Sequence, residues 1–437
     1  MSRRHPAHEP NSAALIAGYA PRFHSLFGDA HHVASPLGTW LLLALVAPLA
    51  AGADREELER ALGCDAEDAR RTADALLRTK HPSVSAAIAI WSREGTLGPA
   101  LEAWSRALPP PVSVGALPTA AETDAWARRH TNGLIERFPI PLDELTRLVL
   151  GSAVATDLDW IEQFDPVEAS ELGGPWASTI RNAMVARGDA AQAVARTEAA
   201  GLVGVHVARS RQGLAVVSVI GEPGVPVIHM IAAGHEVAAL WCARPSPAEF
   251  ISLFDLPLQG HAWEIKETEC AASEKGARYE TAWVWIPAWS ASARADNLLA
   301  APVTGVAAAA RSLVARLPLV PEGYKVKASQ VLRTEFDLHG FRAAAVTVMD
   351  IELTGAPPPE KHRGLWRNLE LRFARPFVAV AVVADDSGGP AWTGMPLFSA
   401  WITEPSEPTR SVVGRSRTPA VEPVDPMPPE QLTLGFR

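Results

Sequence analysis

Hydrophobic residues in the first third of the chain recur mainly at helical spacing, whereas in the remainder they alternate or form short runs. Residues 11–30 predict a first helix, and Ser35 followed by Pro36 predicts the start of a second, with Ser35 as its cap and Pro36 in its first turn. Acidic residues followed by leucines four apart predict a short amphipathic helix over residues 54–62, closed by Gly63.

A later helix is predicted over residues 120–138, where Trp126 supplies an apolar contact and Pro139 and Pro141 stop the helix. An Ala- and Leu-rich stretch predicts one more helix over residues 294–316. Strand-like runs follow from alternation and from flanking Gly, Pro and polar turn residues. They cover residues 147–156, three runs between 200 and 243 (GLVGVHVAR, GLAVVSVIG and VPVIHMIAA), and residues 281–289, 341–353, 376–384 and 396–402.

The order of these segments indicates the fold class. Helices dominate the first part and strands the rest, without a βαβα rhythm, so an α+β fold is favoured over a doubly wound sheet. Residues 406–437 are rich in Pro and Ser and poor in aromatic residues, and they predict a disordered tail. We therefore expect a flexible N-terminus over residues 1–10, one domain over residues 11–405 and a Pro-rich tail.

Composition narrows the choice of partners and of compartment. The 437 residues are 48% hydrophobic, enough for a large core, and the formal net charge of -9 disfavours nucleic acid and anionic membranes. The three cysteines are far apart, so a disulfide framework is not expected. The N-terminus lacks the apolar core of a secretion signal, and the longest apolar stretch, residues 39–53, is too short to span a bilayer. These features predict a cytoplasmic protein.

A search for catalytic and metal-binding motifs finds no positive support for an enzyme. His235 and Glu236 begin the pattern HExxH, but Ala239 occupies the position of the second histidine. His31 and His32 are adjacent and point in different directions, which disfavours a shared metal ion. We expect no metal and no cofactor. Trp283, Trp285 and Trp289 alternate as in a strand, and core packing is favoured over an aromatic ligand platform.

Four separated patches resemble those of the serpin family and occur in serpin order. The first is Ser35-Pro36-Leu37 with Gly52, Ala53, Leu58 and Leu62; the second is Trp126, Thr131, Asn132, Gly133 and Ile135 with Leu150, Ala153, Trp160 and Phe164; the third is Gly340 with Ala343, Ala344, Ala345 and Thr347; the fourth is Arg375-Pro376-Phe377 with Leu397, Phe398 and Pro405. Together they cover about residues 11–405. The chain is similar to a divergent, bacterial-type member of this family.

The resemblance implies a metastable α+β fold with an exposed reactive loop, here over residues 340–370, and no enzymatic activity. It implies inhibition of a serine or cysteine protease, which cleaves the loop before the loop inserts as a strand into the main sheet. The implied hinge comprises Gly340, Phe341, Arg342, Ala343, Ala344, Ala345, Val346 and Thr347. The chain departs from the family pattern at Phe341 and Arg342, where a small hydroxyl residue and Glu are usual.

The composition of the loop fits a strand with one buried face. Phe341, Ala343, Ala345, Thr347, Met349, Ile351 and Leu353 fall on one side at period two, and the charged residues fall on the other. A permanent strand, or a loop packed on the body, would give the same pattern. Counting from the hinge as the family does places the scissile bond at Thr354-Gly355. Lys361, Arg363 and Arg367 are alternative bait for a trypsin-like protease.

Two functions therefore stay open. The first is a suicide-substrate protease inhibitor that acts as a monomer and forms loop-sheet polymers if the loop of one copy enters the sheet of another. The second is a serpin-fold protein that binds partners without inhibiting proteases. They differ in whether cleavage of the loop adds a strand to the sheet and stabilises the protein.

Overall fold

The computed structural model describes residues 11–133, 135–140, 142–143, 146–188, 192–243, 250–272, 274–296, 298–318, 326, 328–338, 340–341 and 362–408. Its helices are α1 (Ser12–His24), α2 (Pro36–Val46), α3 (Gly52–Leu62), α4 (Ala66–Arg78), α5 (Pro99–Arg106), α6 (Ala120–His130), α7 (Ala169–Leu172), α8 (Val227–Cys242) and α9 (Val306–Val314). Within these ranges, no helix is both long enough and apolar enough to cross a membrane.

The strands alternate with these helices early in the chain and then dominate. They are β1 (His32–Ala34), β2 (Val84–Ser92), β3 (Val112–Ala116), β4 (Leu148–Thr156), β5 (Leu158–Asp159), β6 (Asp165–Glu168), β7 (Asn182–Gly188), β8 (Gln192–Thr197), β9 (Gly201–Arg209), β10 (Leu214–Ile220), β11 (Trp263–Ala272), β12 (Arg278–Ile286), β13 (Trp289–Ala295), β14 (Gln330–Phe336), β15 (Gly340–Phe341), β16 (His362–Arg372), β17 (Phe377–Val383) and β18 (Pro396–Ile402). The α+β class predicted from the sequence is confirmed.

Two large sheets organise these strands. A six-stranded sheet has the order β1-β18-β17-β10-β9-β8, and a five-stranded sheet has the order β11-β16-β12-β7-β6. Three smaller groups, β3-β2-β4, β13-β14 and β15-β5, complete the described sheets. Strands β17, β18 and β10 are buried along their whole length, which explains their continuous Val- and Ala-rich sequences.

The N-terminal helices form where the sequence predicts; α1 ends earlier than predicted, at His24, and α3 begins two residues earlier, at Gly52. Helix α2 is apolar on all sides and almost wholly buried, as expected of a helix inside the core. Gly63 closes α3 in the left-handed conformation, with φ of 78°. Helix α6 begins with a capping box between Thr119 and Glu122 but ends at His130, eight residues before the predicted end, because Asn132 adopts a left-handed conformation.

Three predicted segments differ in the structure. Residues 227–242 form α8 rather than a strand, and the buried residues of this helix pack against the six-stranded sheet. Pro287 separates Trp289 from β12, so Trp289 begins the next strand and does not share a face with Trp283. The helix predicted over residues 294–316 is confined to α9, because residues 294 and 295 complete β13.

A chain of buried polar side chains links α1, β1, β18 and α8. The rings of His24 and His32 are hydrogen bonded at 2.7 Å between Nδ1 and Nε2, and His24 Nε2 lies 2.7 Å from Ser399 Oγ. His235 Nε2 lies 3.2 Å from the same hydroxyl. Burial lowers the pKa of His24 well below its usual value and lowers that of His235 to about 4. These histidines are therefore neutral at pH 7.

Candidate functional site: a sheet gap beside the hinge

Two strands of the core have one paired edge and one edge free of other described strands. Strand β4 pairs with β2 along all nine of its residues, and β14 pairs with β13 along all seven. Within the described residues, neither β4 nor β14 pairs with a further strand on its opposite side. Such edges carry backbone donors and acceptors that can accept an additional strand.

The two free edges face each other across a cleft. Val154, Ala155 and Thr156 of β4 line one side, and four residues of β14, Leu332 to Glu335, line the other. The space between these two edges opens to solvent. Phe398 of β18 lies at its inner end, and Thr131 and Ile135 from the segment after α6 border it. This cleft has the lining expected of a position for one missing strand.

The chain turns back towards this cleft directly after β14. The Asp337 backbone N–H donates to the Gly340 carbonyl at 3.1 Å, which reverses the direction of the chain. Strand β15 then pairs antiparallel with β5, Gly340 opposite Asp159 and Phe341 opposite Leu158. Because β5 follows β4 after one intervening residue, Gly340 and Phe341 occupy the start of a strand between β4 and β14.

Two residues hold the turn against the body of the protein. The indole Nε1 of Trp160 donates to the Asp337 carbonyl at 2.9 Å, and the Phe164 backbone N–H donates to the Leu338 carbonyl at 3.4 Å. Both side chains pack against Phe336, with ring centroids 5.2 and 5.6 Å away. The turn after β14 is therefore fixed by a buried aromatic cluster.

The N-terminal end of α2 is hydrogen bonded to β18 and to β14. Ser35 was predicted to cap α2, but its hydroxyl makes no cap hydrogen bond and instead donates to the Leu397 carbonyl of β18 at 2.9 Å. The Gln330 amide of β14 donates to the Ser35 carbonyl and to Thr39 Oγ1, both at 3.1 Å. Sequence reasoning missed Gln330, since an isolated Gln in a strand carries no signal of such a role.

Most of the predicted hinge and bait residues lie outside the described residues. These are Arg342, Ala343, Ala344, Ala345, Val346, Thr347, Thr354, Gly355 and Lys361. Gly340 and Phe341 lie in β15, at the free edge of β5. The structure thus brings the predicted start of the hinge to the cleft, and the remaining assignments stay predictions.

The structure places residues 362–370, the end of the predicted loop, in β16 instead. Here Arg363 pairs with Glu269 at 2.6 Å, and Arg367 pairs with Glu267 at 2.7 Å and stacks on Phe254. Strand β16 is hydrogen bonded to β11 on one side and to β12 on the other. A protease needs an unpaired, extended substrate backbone, so Arg363 and Arg367 do not fit the bait position in this structure.

One arrangement of Ser, His and Asp elsewhere has the composition of a catalytic triad but not its geometry. His81 Nε2 lies 3.1 Å from Asp385 Oδ1 and 3.0 Å from Ser387 Oγ. His81 Nδ1 accepts a hydrogen bond from the Ser83 backbone N–H, so the ring proton is on Nε2. Nε2 therefore cannot accept a proton from Ser387, as a general base must. Among the described residues, no group of three or more His, Cys, Asp or Glu side chains could hold a metal ion.

Comparison with known sequences identifies two similarities. Residues 28–172 match the family model described as serpin (serine protease inhibitor). Serpin-ZXA of Oryza sativa subsp. japonica is 31% identical over 180 residues, which are 36% of this chain and 46% of the rice protein. The chain thus spans about half the length of this curated relative.

Comparison with solved structures extends the similarity over nearly the whole fold. The thermophilic serpin tengpin in its native state matches with a TM-score of 0.59 and 16% identity, over 92% of this chain and 96% of tengpin. Human thyroxine-binding globulin matches with a TM-score of 0.58 and 14% identity, over 91% of this chain and 98% of that protein. At these identities the similarity concerns the fold.

Proposed function

The chain belongs to the serpin family, and on that premise we propose that it inhibits a serine or cysteine endopeptidase as a suicide substrate and is not itself an enzyme. The observation that carries this proposal is the pairing of Gly340 and Phe341 with β5 at one end of a cleft bordered by two free strand edges. A loop that begins in this position can continue into the cleft without rebuilding the surrounding sheets.

The proposed reaction begins as ordinary proteolysis. The nucleophile of the protease attacks the Thr354 carbonyl, the bond to Gly355 breaks, and the new amine of Gly355 takes up the proton. The loop remains attached to the protease as an acyl-enzyme. Residues after Phe341 then insert between β4 and β14, and the attached protease is carried along and distorted before water can release it.

The free edges supply the driving force for insertion. Strand β14 has seven residues and β4 has nine, so an inserted strand forms on the order of ten new backbone hydrogen bonds. At about 1 kcal/mol net for each bond, insertion stabilises the cleaved protein by on the order of 10 kcal/mol. This is comparable with the whole folding free energy of an ordinary domain.

The alternation in the loop matches the two sides of the cleft. We place the apolar set, which includes Ala343, Ala345 and Met349, towards Phe398 and the core. The other set contains Arg342 and the remaining charged residues of 341–353, and it then faces solvent. Because side chains alternate along a strand, the loop can insert without burying a charge.

Thermal unfolding before and after cleavage of the loop tests the proposal. Nicking by subtilisin is expected to raise the melting temperature by about 10 °C or more, since insertion adds a strand. The acyl-enzyme complex with the protease is expected to survive denaturant and to appear as a separate band on a gel. An unchanged melting temperature after clean cleavage, without such a band, would exclude inhibition.

Two matched variants make this test specific to the inserted face. Ala345→Glu places a carboxylate on the side that turns to the core, so cleavage should proceed without stabilisation. Ala344→Glu places the same group on the solvent side and should keep the upward shift. Equal behaviour of the two variants would contradict the assigned register.

A binding function without inhibition is the second candidate, and Phe341 favours it. Phe341 stands where the family usually has a small hydroxyl residue, and repacking a large side chain there without a matching pocket during insertion costs on the order of 1–3 kcal/mol. Slow insertion would let the protease complete hydrolysis. Cleavage without stabilisation in the wild-type chain would support this candidate.

The proposed partner and oligomeric state follow from the first candidate. We propose a monomer whose partner is an endopeptidase, with loop-sheet polymers when the loop of one copy enters the cleft of another. The cytoplasmic location stays a prediction from the sequence.

A further inference from the structure

A row of aromatic side chains lies on one face of the five-stranded sheet. Tyr279, Trp283 and Trp285 share this face of β12 because they are separated by even numbers of residues. Trp366 of β16 lies opposite Tyr279, and its indole N–H donates to the Thr281 hydroxyl at 2.9 Å. We refer to Tyr279, Trp283, Trp285 and Trp366 as the aromatic row.

The aromatic row becomes more exposed along β12. Trp285 is 5% exposed, Trp283 and Trp366 are half-buried, and Tyr279 is 41% exposed. Exposed large aromatic rings are few among the described residues, and adjacent ones are characteristic of binding surfaces. The row therefore continues from the covered interior of the sheet to an uncovered end.

Cationic side chains lie on the same surface. The Arg187 guanidinium lies 5.2 Å from the Trp283 ring centroid, and Arg372 lies 4.3 Å from that of Trp285. Arg187 is half exposed and pairs with the more exposed Asp165 at 3.3 Å. An exposed pair of this kind contributes little to stability, so another carboxylate can replace Asp165 at small cost.

The C-terminal segment of the chain leaves the body at the covered end of this row. The Ser406 backbone N–H donates to the Ala288 carbonyl at 2.7 Å. The Glu407 carboxylate accepts hydrogen bonds from the backbone N–H groups of Arg181 and Asn182, where β7 begins. Contrary to the predicted tail boundary at residue 406, these residues are part of the fold.

Residues 409–437 follow this anchor and include a Pro-rich segment, residues 419–430, with the sequence PAVEPVDPMPPE. Residues 409–418 can span about 33 Å when extended. The seven steps along the strand from Ile286 back to Tyr279 cover about 23 Å of β12. The segment can therefore reach every residue of the aromatic row.

The composition of residues 419–430 matches the row. Its five prolines favour the polyproline II conformation, which loses little entropy on binding and docks in grooves lined by Trp and Tyr. Glu422 and Asp425 supply carboxylates that suit Arg187. The segment thus presents proline rings to the aromatic side chains and acidic groups to the arginine that flanks them.

We propose that residues 419–430 dock on the aromatic row of their own chain. Because β16 begins at His362, directly after the reactive loop, the docked segment covers the surface next to the base of that loop. The interaction does not depend on inhibition of a protease, and it would persist in a protein that only binds partners.

Hydroxyl-radical labelling of the full chain, read by mass spectrometry, tests this docking. The test variant carries the four substitutions Pro423→Ser, Pro426→Ser, Pro428→Ser and Pro429→Ser. Attachment to the chain gives the segment an effective concentration on the order of 1 mM. A dissociation constant of about 0.3 mM for the docked segment would then slow labelling of the aromatic row roughly fourfold. Tyr279 and Trp366 should therefore be labelled roughly fourfold faster in the variant than in the wild type.

Two controls make the result decisive. The variant Val412→Ser/Val413→Ser alters the tail outside the Pro-rich segment and should retain wild-type protection. Labelling of Val303, which is 47% exposed on another surface, should be the same in all three proteins. Equal labelling of Tyr279 in the wild type and the proline variant would overturn the proposal. Protection that rises with protein concentration would also overturn it, since it would indicate a second copy as the occupant.

Discussion

The carbonyl oxygen of Leu158 approaches Gly340 so closely that a Cβ atom on Gly340 would lie 2.0 Å from it. No side chain fits at this distance, so the pairing of β15 with β5 requires glycine at position 340. The same contact places Gly340, the first residue of the predicted reactive loop, in a strand paired with β5.

Substitution of this glycine should release the hinge. Gly340→Ala is expected to break the β15–β5 pairing or to shift β5, lowering the free energy of unfolding by about 1–3 kcal/mol. Urea unfolding measures the change. Gly115→Ala is the matched control, since a Cβ at Gly115 meets nothing within 4 Å. Equal effects of the two substitutions would be incompatible with the close approach at Leu158.

The hydrogen bond behind the gap should contribute measurably to stability. Ser35→Ala removes the donor to the Leu397 carbonyl and leaves that buried acceptor without this partner, which costs about 1–3 kcal/mol. Ser290→Ala, at an exposed position, should have little effect. The free energy of unfolding, measured in urea at pH 7, distinguishes the two. A neutral Ser35→Ala variant would show that Ser35 does not hold β18 to α2.

The buried histidines predict a loss of stability in mild acid. The unfolded chain binds protons at its histidines near pH 6.5. The folded chain resists protonation of His235 until about pH 4, because burial lowers the pKa of that ring. The contribution of His235 to the free energy of unfolding is therefore fully present above about pH 6.5. It is lost between pH 6.5 and 4, by on the order of 3 kcal/mol.

Denaturant unfolding at a series of pH values measures this loss. His235→Gln should reduce the slope of stability against pH in that window. His229→Gln, an exposed position on the same helix, is the matched control and should leave the slope unchanged. A slope unaffected by His235→Gln would mean that other groups cause the acid sensitivity.

The position of β16 predicts where trypsin can cut the native protein. Arg363 and Arg367 belong to a strand paired on both sides, so cleavage after either residue requires the strand to leave the sheet. Brief digestion of the folded protein should give no early fragments that begin at Gly364 or Asn368. Mass spectrometry of the new N-termini checks this. Early appearance of either fragment would place β16 in the accessible loop after all.

The sequence predicted correctly those helices and strands whose hydrophobic pattern and end residues match their burial in the fold. Helix α2, the closing Gly63, and strands β17 and β18 form where the patterns place them. The strand predicted where α8 forms was wrong, because a short continuous apolar run fits either a buried strand or a buried helix. Packing against the six-stranded sheet decided between them.

The candidate site was predictable only at one end. The spacing of Gly340 and the following alanines pointed to the hinge, but the pairing with β5 depends on residues far apart in sequence. For Ser35, the capping rule predicted a local hydrogen bond, yet burial under the Leu397 carbonyl gave the hydroxyl a distant partner. Tertiary contacts of this kind cannot be predicted from the pattern of neighbouring residues in the sequence.

The position of the last strands determines what happens to a chain cut in its loop. Residues after Gly355 supply β16 inside the five-stranded sheet and β17 and β18 inside the six-stranded sheet. A single cut therefore gives two polypeptides that interlock through the cores of both sheets. The C-terminal piece should remain bound without a covalent link and should separate only on complete unfolding, so the nicked protein behaves as a two-chain complex.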